Sequence, residues 1–252
     1  MTQRIGIIGG TGVERPDPDA GERIVDTPYG QARVWVGGDH ADEVVFVSRH
    51  GVEHDIPPHR INYRANIDAL RQLGVDRVLA TFAVGGIADD IPPGAAVALG
   101  QLIDLTHGRE STFFDGGESG LRHTAFTEPF CSSLRAAILD RAGRHGVAMR
   151  PAGTYACANG PRFETAAEIR MLRLWGADVV GMTAMPEAVL AREVEIHYAG
   201  IAISVNWAAG IRGALALDFD ALNAMRARLL PLMLDVLRTT EPAGCSCLEP
   251  GA

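Results

Sequence analysis

Arg77-Val78-Leu79-Ala80-Thr81-Phe82-Ala83-Val84-Gly85-Gly86 decides the fold. An apolar run through Val84, closed by two glycines, reads as a strand buried on both faces of a sheet. Comparable runs lie on either side of it. Arg4 to Gly9 and Glu43 to Ser48 precede it; Ala95 to Leu99, Asp178 to Thr183 and Gly200 to Val205 follow. Helical patterns fall between them. Pro57 and Pro58 introduce a helix from about Arg60 to Leu73. Ser132 or Ser133 caps a second, with Leu134, Ala137, Ile138 and Ala142 on one face and Gly146 closing it. Thr165-x-x-Glu168 is a capping box that opens a third, ended by Gly176. A fourth runs around Glu187 to Val194. The last, about Asp218 to Arg238, sets Leu222, Met225, Leu229, Met233 and Val236 on one stripe, with a kink expected at Pro231. Strands and helices alternate through short links. The expectation is a single α/β domain over residues 1–240, with a central mixed, mostly parallel sheet flanked by helices, and a C-terminal tail at 241–252.

Composition excludes several classes. Of 252 residues, 47% are apolar and 21% charged, enough for a sizeable core. No apolar run reaches membrane-spanning length, and the N-terminus lacks a signal-peptide pattern, so a cytoplasmic protein is expected. The net charge of −8 argues against a general nucleic-acid or anionic-membrane surface. It still allows a local anion pocket. The four cysteines, Cys131, Cys157, Cys245 and Cys247, make no disulfide framework in a chain this long. Cys131 and Cys157 read as small buried hydrophobes. Cys245-Ser246-Cys247 leaves two readings: exposed thiols on a loose tail, or a strained and labile disulfide.

Polar groups gather at strand ends, where ligands sit in parallel α/β sheets. Thr11 stands in the loop Gly9-Gly10-Thr11-Gly12. Its spacing is not that of a dinucleotide fingerprint, and Glu14-Arg15-Pro16-Asp17-Pro18-Asp19 opens no clean helix. The loop is then either an anion-binding turn or a plain one. Arg49 and His50 follow one strand, and Thr183 ends another. With backbone N–H groups near Gly85 and Gly86 they form a set suited to a tetrahedral anion. Arg49 alone would read as a salt-bridge partner. His50, His54 and His59 lie among Gly51, Pro57 and Pro58, an irregular loop unsuited to an i, i+4 metal pair, so no metal is expected there. No G-x-S-x-G elbow occurs. In N-G-P-R-F-E-T-A-A-E, Asn159 to Glu168, the aromatic Phe163 stands beside the carboxylate of Glu164, equipment for a flat hydrogen-bonding ring. Asn206, after an apolar run, is a turn former or an amide facing that ring.

Taken together, these motifs resemble the trimeric purine nucleoside phosphorylase and methylthioadenosine phosphorylase family. The matching pieces are I-G-I-I-G-G-T-G (Ile5 to Gly12), S-R-H-G with H-x-I-P-P-H-x-I-N-Y-x-A-N through Asn66, A-V-G-G-I (Ala83 to Ile87), F-T-E-P-F-C (Phe126 to Cys131), G-P-R-F-E-T (Gly160 to Thr165) and G-M-T-x-M-P-E (Gly181 to Glu187). They run in order over about nine-tenths of the chain. The resemblance implies the nucleoside phosphorylase fold, a homotrimer, and reversible phosphorolysis of a small-molecule nucleoside. Inorganic phosphate is the co-substrate, and no metal, organic cofactor, nucleic acid or membrane takes part. By that likeness Thr11, Arg49, His50, the Ala83 backbone and Thr183 bind phosphate. Met182 packs under the ribose and Phe163 against the base. Asn206, Glu164 and His50 carry the chemistry.

Residues within the family pattern narrow the substrate. Methylthioadenosine enzymes carry Asp where this chain has Asn206. A carboxylate at Glu164 accepts the N1–H of a 6-oxopurine and repels the bare N1 of adenine. Such a mismatch costs about 1–3 kcal/mol when buried. No His follows His197 to hold a 5′-hydroxyl; Leu217 and Phe219 offer an apolar wall instead, with His123 reaching a neighbouring subunit's 5′ pocket. The likeness, including N-W-A-A-G at Asn206 to Gly210, is strongest to the methylthioinosine branch. The expected reaction yields hypoxanthine and 5-methylthioribose-1-phosphate. Rival readings are a broad inosine and guanosine phosphorylase, a methylthioadenosine phosphorylase, and a non-catalytic nucleoside-binding module. Phe82 departs from the family pattern, standing where relatives have a small polar residue near phosphate.

Overall fold

β5, Val75–Gly86, is the hub of the sheet. The computed structural model describes residues 4–10, 19–38, 43–213, 217, 219–242 and 245–248. Around β5 lie β1 (Arg4–Gly9), β2 (Gly21–Thr27), β3 (Gly30–Gly37), β4 (Val44–Ser48), β6 (Ala96–Asp104), β7 (Met149–Cys157), β8 (Val179–Gly181) and β9 (His197–Trp207). The helices are α1 (Tyr63–Gln72), α2 (Ser132–Ala142), α3 (Ala166–Leu174), α4 (Glu187–Glu193) and α5 (Phe219–Thr239). The strand order is β2-β3-β4-β1-β5-β8-β7-β6-β9, and β9 also pairs with β5. One half is therefore an open wing, and the other is a ring of five strands closed through the parallel β5–β9 ladder. The expected mixed α/β sheet flanked by helices is what forms.

Helices cover both faces. α1 and α4 bury Ile67, Leu70 and Leu190 in one cluster. α2 and α5 bury Leu134, Ile138, Leu229, Met233 and Val236 in another. α3 sets Ile169 and Leu172 against Ile87 and Val180. The apolar stripe of α5 is thus a packed seam, with Pro231 inside the helix. The capping box forms as read: Thr165 Oγ1 accepts from the Glu168 N–H (3.1 Å), and Glu168 Oε2 accepts from the Thr165 N–H (2.7 Å).

Three local readings change. α2 has Cys131 at its cap position with no side-chain cap, so neither serine does that work. α1 starts later than Arg60; Asn62 caps it by accepting from the Ala65 N–H at 3.1 Å. β2, β3 and β7 gave no clear apolar run. β2 is an edge strand exposed along most of its length, β3 alternates, and Pro151 and Gly153 interrupt β7.

One irregularity shapes the site. The β5–β9 register runs Val84 to Ser204 and then Gly85 to Asn206, so Val205 is an extra residue. Such a bulge re-aims the side chain that follows it. A Cβ on Gly85 would stand 3.3 Å from Asn206 Nδ2 and 3.3 Å from Ala208 Cα. Glycine there gives the amide its room.

Candidate active site

The chain ends of β4, β5, β8 and β9 open into one cavity of about 480 Å³, within the usual range for small-ligand sites. Arg49, His50, Ala83, Phe163, Glu164, Met182, Thr183, Asn206 and Leu217 all line it. Thr11 lies outside the described residues, as does the Phe219 side chain, although Phe219 begins α5. His123 is exposed on the loop before α2 and is not among the lining residues.

Arg49 is buried and no surface ion pair. Its Nε and Nη2 donate to the two Glu187 oxygens at 2.7 Å each, and Nη1 donates to the Thr81 carbonyl at 2.9 Å. Burial alone would lower the guanidinium pKa; attraction to Glu187 more than offsets it, so Arg49 stays charged. Tyr198 donates a further bond to Glu187 at 2.6 Å. These bonds use three of the five guanidinium N–H groups. Gly10 approaches closely: a Cβ there would stand 2.6 Å from the Thr81 carbonyl and 2.9 Å from Arg49 Nη1. Phe82 is buried with Arg49 Cζ 4.7 Å from its ring centre. It therefore braces the guanidinium from behind and is not among the cavity-lining residues, unlike Ala83 beside it.

His50 donates Nδ1–H to the Ile56 carbonyl at 2.9 Å, since a carbonyl only accepts. Its ring centre lies 4.8 Å from that of His54, with the two rings tilted by 39°. Burial pushes its pKa down to about 4, the Ile56 bond opposes this, and repulsion from Arg49 and His54 adds to it. At neutral pH the imidazole is uncharged, with Nε2 left as an acceptor. The irregular loop expected around His50, His54 and His59 is what forms.

Glu164 is half-buried, and its Oε1 is buried without a hydrogen-bond partner. Burial raises its pKa, a backbone bond opposes that, and repulsion from Glu168 adds to the rise. A carboxylate oxygen deprived of water in a cavity wall requires a donor from whatever enters. Phe163 beside it is 48% exposed, an aromatic face open to the cavity. Asn206 is buried, and its Nδ2 donates to the Trp207 carbonyl at 2.7 Å. That bond orients the amide and leaves the oxygen and one N–H. Thr183 is held by its backbone N–H, which donates to Tyr155 Oη at 3.2 Å. Gly181 makes this possible, since a Cβ there would lie 2.1 Å from the Tyr155 oxygen.

Reading the sequence missed two kinds of residue. Leu222 of α5 lines the cavity, although its spacing marked it only as core. Glu187 and Tyr198 hold Arg49 without facing the ligand space. Glu187 sits at the end of the G-M-T-x-M-P-E stretch, the one signal that could have found it.

Residues 4–237 match the phosphorylase superfamily. The chain belongs to that family. A probable 6-oxopurine nucleoside phosphorylase of Thermococcus kodakarensis is 53% identical over 94% of this chain and 92% of its own length. A probable S-methyl-5'-thioinosine phosphorylase of Methanopyrus kandleri is 43% identical over 99% and 97%. The solved methylthioadenosine phosphorylase of Schistosoma mansoni, in complex with adenine, superposes with a TM-score of 0.87 at 32% identity, covering 94% of this chain and 91% of that one. The expectation of a phosphorylase, a pentosyl-transferring enzyme, holds at the level of the family.

Proposed function

We propose that the chain catalyses phosphorolysis of 6-oxopurine nucleosides, with S-methyl-5'-thioinosine preferred. The observation that carries the base assignment is the partnerless buried Oε1 of Glu164. Hypoxanthine presents an N1–H that satisfies it; adenine presents a lone pair that does not. Asn206 supplies the remaining contact, its free N–H donating to the purine as charge builds on the departing base.

Phosphate binds through Arg49, His50, Thr183, the Ala83 backbone and Thr11. A phosphate oxygen forms a bond to C1′ while the C1′–N9 bond breaks, its electron pair leaving with the purine. The anion beneath C1′ stabilises the oxocarbenium-like transition state. Neutral His50 accepts a hydrogen bond at Nε2 from a protonated phosphate oxygen and, by staying uncharged, avoids a second buried cation beside Arg49. Met182 packs under the ribose. Leu217 and Leu222 line the wall left for the sugar's 5′ end; both are apolar, which favours a methylthio group over a hydroxyl. His123 completes that pocket from a neighbouring subunit of a homotrimer. No cofactor enters this reaction.

The deciding experiment compares phosphate-dependent base release from methylthioinosine, inosine and methylthioadenosine. We expect hypoxanthine release from methylthioinosine to lead inosine about tenfold in kcat/KM, the worth of one apolar group. Adenine release should be slower by about 5- to 150-fold, the equivalent of 1–3 kcal/mol. Fast adenine release sinks the Glu164 assignment. Inosine as best substrate sinks the apolar wall and returns the broad 6-oxopurine reading that the Thermococcus relative's name carries.

A further inference from the structure

At the far end of β9 from Asn206, four side chains converge. His197 opens the strand, Cys131 sits at the cap of α2, and Cys245 and Cys247 come from the segment after α5. The cysteines are free and buried, Cys247 to 2%. This overturns the loose tail of exposed thiols, and no disulfide joins them. The ligand-capable atoms, three Sγ and His197 Nδ1, all lie within 4.8 Å of one another. Five of the six separations are Cys131–Cys245 3.6 Å, Cys245–Cys247 3.0 Å, Cys131–His197 3.7 Å, Cys245–His197 3.4 Å and Cys247–His197 3.2 Å.

We propose that these residues form a structural zinc site, Cys131-Cys245-Cys247-His197, that clamps the C-terminal segment to the sheet. A tetrahedral zinc with bonds of about 2.3 Å to sulfur and 2.0–2.1 Å to nitrogen requires ligand–ligand edges of roughly 3.5–3.8 Å. Cys131–Cys245 and Cys131–His197 fall in that range, the other two His197 pairs lie slightly inside it, and Cys245–Cys247 at 3.0 Å would widen to take the ion. Three thiolates and an imidazole in a tetrahedral array select zinc among the common divalent ions. All four positions come from the protein, so none is open to substrate, which is the mark of a structural site. The ligands span 117 residues of chain from Cys131 to Cys247, with no local spacing that reads as a zinc motif.

The surroundings show what the ion would hold. The Arg77 side chain, opposite His197 in the β5–β9 ladder, donates to the carbonyl of Thr240 just after α5. The chain then returns to place Cys245 and Cys247 against α2, where the Cys131 N–H donates to the Tyr198 carbonyl at 2.7 Å. One ion would tie α2, β9 and the end of α5 at a single point. Asn206 lies nine positions along β9 from His197, about 30 Å of strand, so the site is separate from the nucleoside cavity. Its failure would leave the phosphorolysis reading untouched.

The test uses tag-free full-length protein, purified under reductant without chelator. Elemental analysis should give one zinc per chain, falling to near zero in Cys245→Ser/Cys247→Ser and in Cys131→Ser. Cobalt added to metal-stripped parent protein should give the thiolate-to-cobalt charge-transfer band and the visible bands of tetrahedral cobalt. That reading stands even if a variant folds poorly. A chelator should lower the melting temperature of the parent and not of the double variant. Reduced, folded protein that retains no zinc from a micromolar excess overturns the proposal. So does a metal-free chain whose intact mass, without reductant, shows a disulfide between any two of these cysteines.

Discussion

The two ends of β9 hold opposite kinds of polar cluster. At Asn206 the groups face an open cavity and are incompletely satisfied: Glu164 Oε1 lacks a partner, and Arg49 has donors beyond its three internal bonds. At His197 the groups face one another, and the ring of contacts closes on itself. Unmet hydrogen-bonding capacity beside space is what a site needs to take up and release a ligand. Converged soft ligands without space suit a permanent occupant. The strand is buried between its two ends and paired on both sides, so each end keeps its own geometry.

The largest break comes from Arg49. Arg49→Met should cost at least about a thousandfold in kcat/KM, the usual scale for losing a key electrostatic stabiliser. It should also cost about 3–5 kcal/mol in denaturant stability, because Glu187 is left charged and buried. Arg49→Met/Glu187→Leu should recover most of the stability and none of the activity. Recovery of both would show that the pair is scaffold only. Next, Glu164→Gln should lower kcat/KM on 6-oxopurine nucleosides by about 10- to 150-fold, since a charge-assisted bond is worth roughly 1.5–3 kcal/mol, and steady-state kinetics will show it. Asn206→Asp should shift the base ratio toward 6-amino purines; an unchanged ratio removes Asn206 from the base contact.

Smaller effects sharpen the contrast. Leu222→His gives the 5′ end a hydrogen-bonding partner and should move the ratio of inosine to methylthioinosine turnover toward inosine by about tenfold. Taking the ratio cancels any general loss of stability. His50 supplies the smallest effect. Its pKa in the fold, about 4, lies below the ordinary 6.5. The folded state therefore binds fewer protons than the unfolded chain. Its contribution is full above pH 6.5 and is lost as pH falls through 4. Chemical unfolding at pH 7 and pH 4 should show about 1–2 kcal/mol less acid sensitivity in His50→Asn, allowing for partial exposure.

Much of the cavity end was legible because its residues are local in sequence. Apolar runs marked β1, β4 and β5, those of β1 and β5 ending in glycines, and the residues just after a strand fall at its ligand edge. Nine of the twelve expected site residues line the cavity, most of them at strand ends and the others, Phe163, Glu164 and Leu217, on loops that precede helices. Of the other three, Thr11 and the Phe219 side chain lie outside the described residues, and His123 is exposed on the loop before α2. Leu222 looked like core because a helix stripe reads alike over a core or a cavity.

What the sequence determined by itself was the alternation of buried strands and amphipathic helices, the cap at Thr165, and the chemical types gathered at strand ends. Those follow from periodicity and from residue chemistry within a few positions. Tertiary structure alone decided that β9 closes a ring against both β5 and β6, that Arg49 turns inward to Glu187, and that Cys131, His197, Cys245 and Cys247 meet. Each joins residues far apart in the chain, and the free energy of such contacts depends on packing that no local pattern encodes.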